Sequence, residues 1–245
     1  MFRKFLRLSC FLFPAMLAAA GPQALFNGKN LEGWTFDVID PEVKPEAVWS
    51  VTDGLLVCKG RPPGVIRTTR GDFSNYELTV EWPCGRASAP QNGHRTSVHR
   101  YCLDACASRA EHGRGGVSGN AKPGNSGVLV HASKPREMFV WPKSVEVQLG
   151  TGNAGDFWTI GEKLTVPGAS PQGRRWLKRQ ESTENPPGEW NILRVRCEER
   201  KLTVWVNGTL MNEAEGLSTD KGAICLQSEG APIHFRKVEL VPIKR

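Results

Sequence analysis

The side chains best suited to chemistry fall in short runs whose spacing fixes which of them share a face. In an extended strand, successive residues point to opposite sides. Over Ser144–Leu149, Ser144, Glu146 and Gln148 therefore take one face, and Val145, Val147 and Leu149 the other. The apolar face must pack inward, which leaves a carboxylate and an amide side by side on the outer face. That outer face is either a site or an ordinary solvated surface. Over Asn125–His131, Asn125, Gly127, Leu129 and His131 share one phase. His131 titrates near neutral pH and suits a base or a metal ligand, or it is simply a strand-end histidine. Gln227 and Glu229 share a phase, as do His234 and Arg236. Arg236 is a fixed cation for an anionic oxygen, or half of a structural ion pair with Glu229. Asp156, after Gly155, fits a turn or a metal. Trp141 and Trp158 offer flat faces to a ligand or pack in the core, and Lys143 sits in the loop before the Glu146 strand, where loops often hold ligands.

The elements that must position these groups are strands. Alternating or apolar runs recur between Gly, Pro, Asn and Asp breaks, at Val48–Val51, Gly54–Cys58, Tyr76–Trp82, Gly127–His131, Ser144–Leu149, Trp190–Cys197, Leu202–Val206, Ala223–Gln227 and Ile233–Val241. Val206-Asn207-Gly208-Thr209 predicts a hairpin, because Asn-Gly accepts the positive φ angles of a type I′ turn. Many short strands and no long 3.6-residue period indicate an all-β sandwich or jelly roll. Residues 171–189 are polar and proline-punctuated, as expected of a surface loop. Residues 83–124 lack a strand pattern and read as a loop insertion or disorder. Their Cys102-x3-Cys106, His112 and the nearby Cys84, His94 and His99 suit a zinc site or a disulfide-pinned loop, without a clean second ligand pair.

The 245-residue chain carries a formal charge of +7, but the excess is local. Arg3, Lys4 and Arg7 hold three charges, and residues 83–124 hold a net four, so the rest is neutral. That is not the basic stripe of a nucleic-acid binder. Residues 1–20 have the basic, apolar and small-residue parts of a secretory leader, with an apolar run too short to span a bilayer. A secreted or periplasmic destination without a stable membrane anchor follows. In an oxidising compartment the six remaining cysteines could pair, although Cys58, Cys197 and Cys225 lie in strand-like runs that equally suit buried thiols. No phosphate loop, nucleophile elbow or His-Glu-x-x-His helix is present, which argues against kinases, serine esterases and zincins. Oligomeric state is not legible.

Six motifs together carry a family likeness. Leu25-Phe26-Asn27-Gly28-Lys29-Asn30-Leu31-Glu32-Gly33-Trp34, Asn125-Ser126-Gly127-Val128, Val145-Glu146-Val147-Gln148, Gly155-Asp156-Phe157-Trp158, Gly188-Glu189-Trp190-Asn191, and the closing run Leu226–Gly230 with Ile233-His234-Phe235-Arg236 occur in order. In this the chain resembles the 3-keto-disaccharide hydrolase domain family over residues 25–243, apart from 83–124. The resemblance implies a concanavalin-like jelly-roll sandwich of two antiparallel sheets, and exported bacterial enzymes cleaving glycosides oxidised to a ketone at C3. Such a ketone acidifies the C2 proton; a base removes it, the enolate expels the C1 substituent, and water adds. The site needs a base, an electrophile for the enolate oxygen and an acid at the leaving group. Expected catalytic groups are Glu146, His131, Glu229 and Arg236. Expected substrate contacts are Gln148, Asn125, Trp141, Lys143, Asp156 and Trp158. One divalent metal ion, held by Glu146 and His131, is the cofactor this chemistry suggests. Lys237 stands where the family usually has Asn. A non-catalytic carbohydrate-binding module of the same fold is the alternative.

Overall fold

A computed structural model of the protein describes residues 21–83, 124–186 and 188–244. The leader and all but the ends of the 83–124 stretch, with its candidate zinc and disulfide residues, lie outside the described residues. Sixteen strands and one short 3-10 turn, Pro45–Ala47, make up the described regular structure. Three antiparallel sheets result. One runs β1 (Gln23–Ala24), β16 (Lys237–Pro242), β6 (Tyr76–Pro83), β11 (Trp190–Glu198), β12 (Lys201–Val206), β13 (Thr209–Glu215). The second runs β10 (Arg175–Trp176), β9 (Phe157–Ile160), β8 (Ser144–Gln148), β7 (Gly127–Ala132), β14 (Ala223–Ser228), β5 (Gly64–Thr68), β2 (Trp34–Val38). A small third sheet holds β15 (Ile233–Phe235), β4 (Leu55–Cys58) and β3 (Trp49–Thr52).

The two large sheets close on one apolar core because their strands alternate. On β6, Tyr76, Leu78, Val80 and Trp82 are buried while Glu77, Thr79 and Glu81 are only half-buried. They belong to one cluster with Val128 and Val130 of β7, Val145 and Val147 of β8, and Ile224 and Leu226 of β14. Each such side chain contributes about 1.5–3 kcal/mol on burial. This is the expected jelly-roll sandwich, with one difference. The anticipated Ile233–Val241 strand breaks at Arg236, so that β15 pairs with β4 while β16 pairs with β6. The third sheet arises at this corner.

Cys58, Cys197 and Cys225 are buried free thiols. Burial pushes each up to about 12, far from the thiolate that reactive cysteines need. Among the described residues, no helix is long and apolar enough to cross a bilayer.

The expected β12–β13 turn forms, with φ of 49° at Asn207 and 83° at Gly208. The Asn207 side chain accepts from the Ile192 amide at 2.9 Å. It donates to the Thr183 carbonyl at 2.7 Å and to Asn191 Oδ1 at 2.8 Å. A Cβ on Gly208 would meet nothing within 4 Å, so Gly208→Ala isolates the backbone cost. That variant is expected to melt about 3 °C below the parent, as roughly 1 kcal/mol does in a domain of this size. Asn207→Ala, which strips the hydrogen bonds as well, should lose at least about twice that. Thermal denaturation by circular dichroism checks both.

Candidate active face of the seven-stranded sheet

The register of the seven-stranded sheet sets out its outer face in rows. Thr35, Arg67, Cys225, Leu129, Glu146, Trp158 and Arg175 stand opposite one another in turn from β2 to β10. In the next row Asp37 faces Val65, Val65 faces Gln227, and Gly127 faces Gln148. Part of this face is apolar: Val65, Leu129, Ile160, Ala223 and Cys225 cluster with Val140 and Trp141 from the loop before β8. The expected polar surface is therefore a largely buried one, and Glu146 and Gln148 are each 7% exposed.

Gly127 is what lets Glu146 and Gln227 approach across β7. A Cβ there would lie 2.5 Å from Gln227 Oε1 and 2.8 Å from Glu146 Oε1. Burial pushes the Glu146 carboxyl up to about 8, and the negative charge of Glu229 adds to the shift. Gln227 and the Arg174 cation draw it back in part. Glu229 is half-buried and also raised by burial, with Arg174 again opposing. The Gln227 amide reaches the edge of the Glu146 carboxylate, yet neither of its buried amide atoms makes a hydrogen bond of standard geometry among the described residues. Exposed Arg174 has its guanidinium 5.6 Å from the Trp158 ring centre and donates to the Thr159 carbonyl at 3.3 Å. Two carboxylates, one unpartnered amide and one accessible cation thus converge beside an indole. Such an array can share a proton, move it, and stabilise a developing oxyanion.

Other expected residues play different parts. Asp156 is fully buried and held at both oxygens, by Arg175 Nε at 2.7 Å and the Lys178 amide at 2.8 Å. It ties β10 to the start of β9 and so places Arg174, rather than facing a ligand. Gln148 Oε1 accepts from the amides of Leu149 and Gly150 at 2.9 and 2.7 Å. Half-buried Asn125 lies against the same Gly150. Trp141 belongs to the apolar cluster on this outer face, with its ring edge-on to exposed Phe139. Lys143 sits at the loop base, its amide donating to the Lys134 carbonyl at 2.7 Å and its charge acting on Glu137.

Two placements are corrected. His131 does not share the face of Glu146. A register shift between β14 and β7, together with φ of 54° at His131, breaks the alternation there. Its ring instead packs edge-on against Tyr76 of the opposite sheet, and burial lowers it to about 4. Arg236 turns at the β15–β16 corner to pair with Glu81 and lie 4.4 Å from the Trp190 ring centre, on the other sheet. Its structural partner is thus Glu81, not Glu229. Glu146 and His131 therefore do not fit a shared metal ion. Among the described residues, no three of His, Cys, Asp and Glu converge as ligands. Arg174 escaped the sequence because its loop has no period. Gln227 carried a usable signal, its shared phase with Glu229.

The raised Glu146 carboxyl has a consequence for stability. Below its ordinary value of 4.5 the group is protonated folded or unfolded. From there up to about 8 the unfolded chain releases a proton that the folded one keeps, so stability falls as pH rises. Glu146→Gln removes this loss. The variant is expected to match the parent near pH 4.5 and to melt at least about 3 °C above it at pH 8.5; parallel melting profiles would refute the assignment.

With the geometry in place, the likeness to known proteins is informative. A candidate glycosyl hydrolase from Parabacteroides distasonis ATCC 8503 superposes with a TM-score of 0.57 at 21% identity, covering 91% of this chain and 100% of its own. A β-glucanase of Bacillus licheniformis gives 0.53 at 11% identity, over 92% and 99%. The carbohydrate-binding module CBM66 of Bacillus subtilis gives 0.51 at 10%, over 84% and 94%. At these identities the agreement is one of fold. No curated protein sequence matches significantly. The sequence profile of the 3-keto-alpha-glucoside-1,2-lyase-like domain, however, matches residues 21–241, from before β1 into β16, and the chain belongs to that family of carbohydrate-active jelly-roll proteins.

Proposed function

We propose that the protein cleaves glycosides already oxidised to a ketone at sugar C3, by elimination followed by hydration. The observation that carries this is the pair Glu146–Glu229 beside Arg174 and the unpartnered amide of Gln227. Two carboxyls in one another's field hold different protons, and their environments set the roles. Glu146, the more deeply buried, keeps its proton at neutral pH and is the acid. Glu229, half-exposed, is the base. Glu229 removes the C2 proton, and the electron pair moves onto the C3 oxygen. Arg174 and the Gln227 NH2 group face that enolate oxygen. The enolate then reforms the ketone with a C1=C2 double bond, breaking the C1–O bond as Glu146 protonates the departing oxygen. Water adds its hydroxyl to C1 and a proton to C2, giving the free 3-keto sugar. Trp158 offers its ring to the sugar. Export by the leader completes this proposal.

The pair also yields distinct expectations for two variants. Glu229→Gln should lower kcat by about 10²–10⁴ on any 3-keto-glycoside. Glu146→Gln should do so for a 3-keto-disaccharide, but cost about tenfold or less with 4-nitrophenyl 3-keto-glucoside, whose leaving group needs little protonation. The parent enzyme's rate on the disaccharide should fall as pH rises through about 8, the value of Glu146. Product analysis by chromatography, with the unoxidised disaccharide as control, reads all of these. Binding of sugar without cleavage would mark a carbohydrate-binding module instead, and equal cleavage of the unoxidised sugar would refute the C3-ketone mechanism.

A further inference from the structure

On the same face, away from Glu146, lies a cleft of about 200 Å³ lined by Thr35, Asp37, Val65, Arg67, Pro135 and Pro142, with Phe36 completing its wall. It is smaller than the roughly 300–1,000 Å³ of pockets for drug-sized molecules, which suits one sugar ring. Its floor is β2 and β5, and its roof is the loop between β7 and β8. That roof is pinned down: Arg136 donates to Asp37 Oδ1 through Nη2 at 2.6 Å and to the Val38 carbonyl at 3.0 Å. The cleft is therefore a formed feature of the fold rather than a gap under a loose loop. Its polar groups are of two kinds. The second oxygen of Asp37, Oδ2, accepts from Arg136 Nε at 3.2 Å, a longer bond than the one to Oδ1. Half-buried Arg67 has its Nε buried and without a partner among the described residues. A buried donor left unmet is costly, and it leaves the Arg67 guanidinium on the cleft wall with hydrogen-bonding capacity unspent.

The position relative to the proposed reaction centre is set by the sheet itself. Val65 of the cleft stands directly opposite Gln227, and Asp37 is one strand further. At roughly 4.8 Å between strands, the cleft lies about 5–10 Å from Gln227, the separation of neighbouring sugar rings. We propose that this cleft is the subsite for the leaving sugar of a two-unit substrate, with Arg67 donating to and Asp37 accepting from its hydroxyls. Pro135, Pro142 and Val65 supply the apolar walls against which the ring's C–H faces lie. This rests on the function proposed above and names the part of the substrate which that site leaves unaddressed. The enzyme thereby selects for a sugar, rather than a small alcohol, on the far side of the cleaved bond.

Arg67→Gln, together with Thr35→Phe, which narrows the cleft from an exposed position, tests the assignment. KM is measured for a 3-keto-disaccharide and for methyl 3-keto-α-glucoside. Each variant is expected to raise KM for the disaccharide about tenfold, the worth of one hydrogen bond to a charged group, and at least fivefold more than for the methyl glycoside. Equal changes on the two substrates, or none on either, would overturn the subsite. If the parent protein cleaves neither compound, the functional proposal fails, and the subsite is judged by tryptophan fluorescence titration with the unoxidised disaccharide. Saturable binding weakened by Arg67→Gln then upholds it, and no binding by the parent overturns it.

Discussion

A carboxylate buried on a sheet face beside a second carboxylate is the constraint on which the rest turns. Glu146 is exposed by only 7% and has a second carboxylate nearby. Burying such a group costs free energy, which pushes its carboxyl up to about 8 despite the opposing pull of Gln227 and Arg174. The arrangement exists because Gly127 has no side chain. Any larger residue on β7 would fill the space in which Glu146 and Gln227 meet. The stability that tolerates this comes from the opposite side of the same strands, where Val145, Val147, Val128 and Leu226 are fully buried in the main core. One sheet thus carries packing on its inner surface and the candidate site on its outer one.

Much of this was legible wherever strands stay regular. Alternation placed Glu146 and Gln148 on one side of β8 and separated them from Val145 and Val147, and the Asn207-Gly208 turn formed as its residues require. Alternation failed where the backbone departs from a regular pleat. At His131 the β7 bulge turns the ring toward Tyr76, and nothing in Val-Leu-Val-His announces a positive φ at a histidine. At Arg236 the chain leaves one sheet and joins another, so a run read as one strand is two. Arg174 belongs to a segment with no period, and its place depends on a contact with β9, which local sequence does not encode.

Segments without periodicity nevertheless do much of the positioning. The buried Asp156 anchors Arg175 and the Lys178 amide, which fixes the course of the chain through Arg174. Arg136 does the same for the loop before β8 by gripping Asp37 across the sheet. Both cations close a loop onto the outer face with a forked or paired contact, and in both cases the group so placed is a neighbour rather than the anchor itself. Preorganisation of this kind lowers the ordering cost when a ligand arrives.

The order of strands carries a consequence for how the molecule comes to exist. β14 lies between β7 and β5, and β16 lies between β1 and β6. Two long strands late in the described chain, Ala223–Ser228 and Lys237–Pro242, are thus interior members of the two large sheets. Until they leave the ribosome, both sheets are split, and the edges of β5, β6 and β7 lack their partners. Contacts so distant in sequence form slowly, and unpaired edges invite association with other chains. A chain lacking β14 and β16 therefore holds two open sheets rather than a slightly shortened fold.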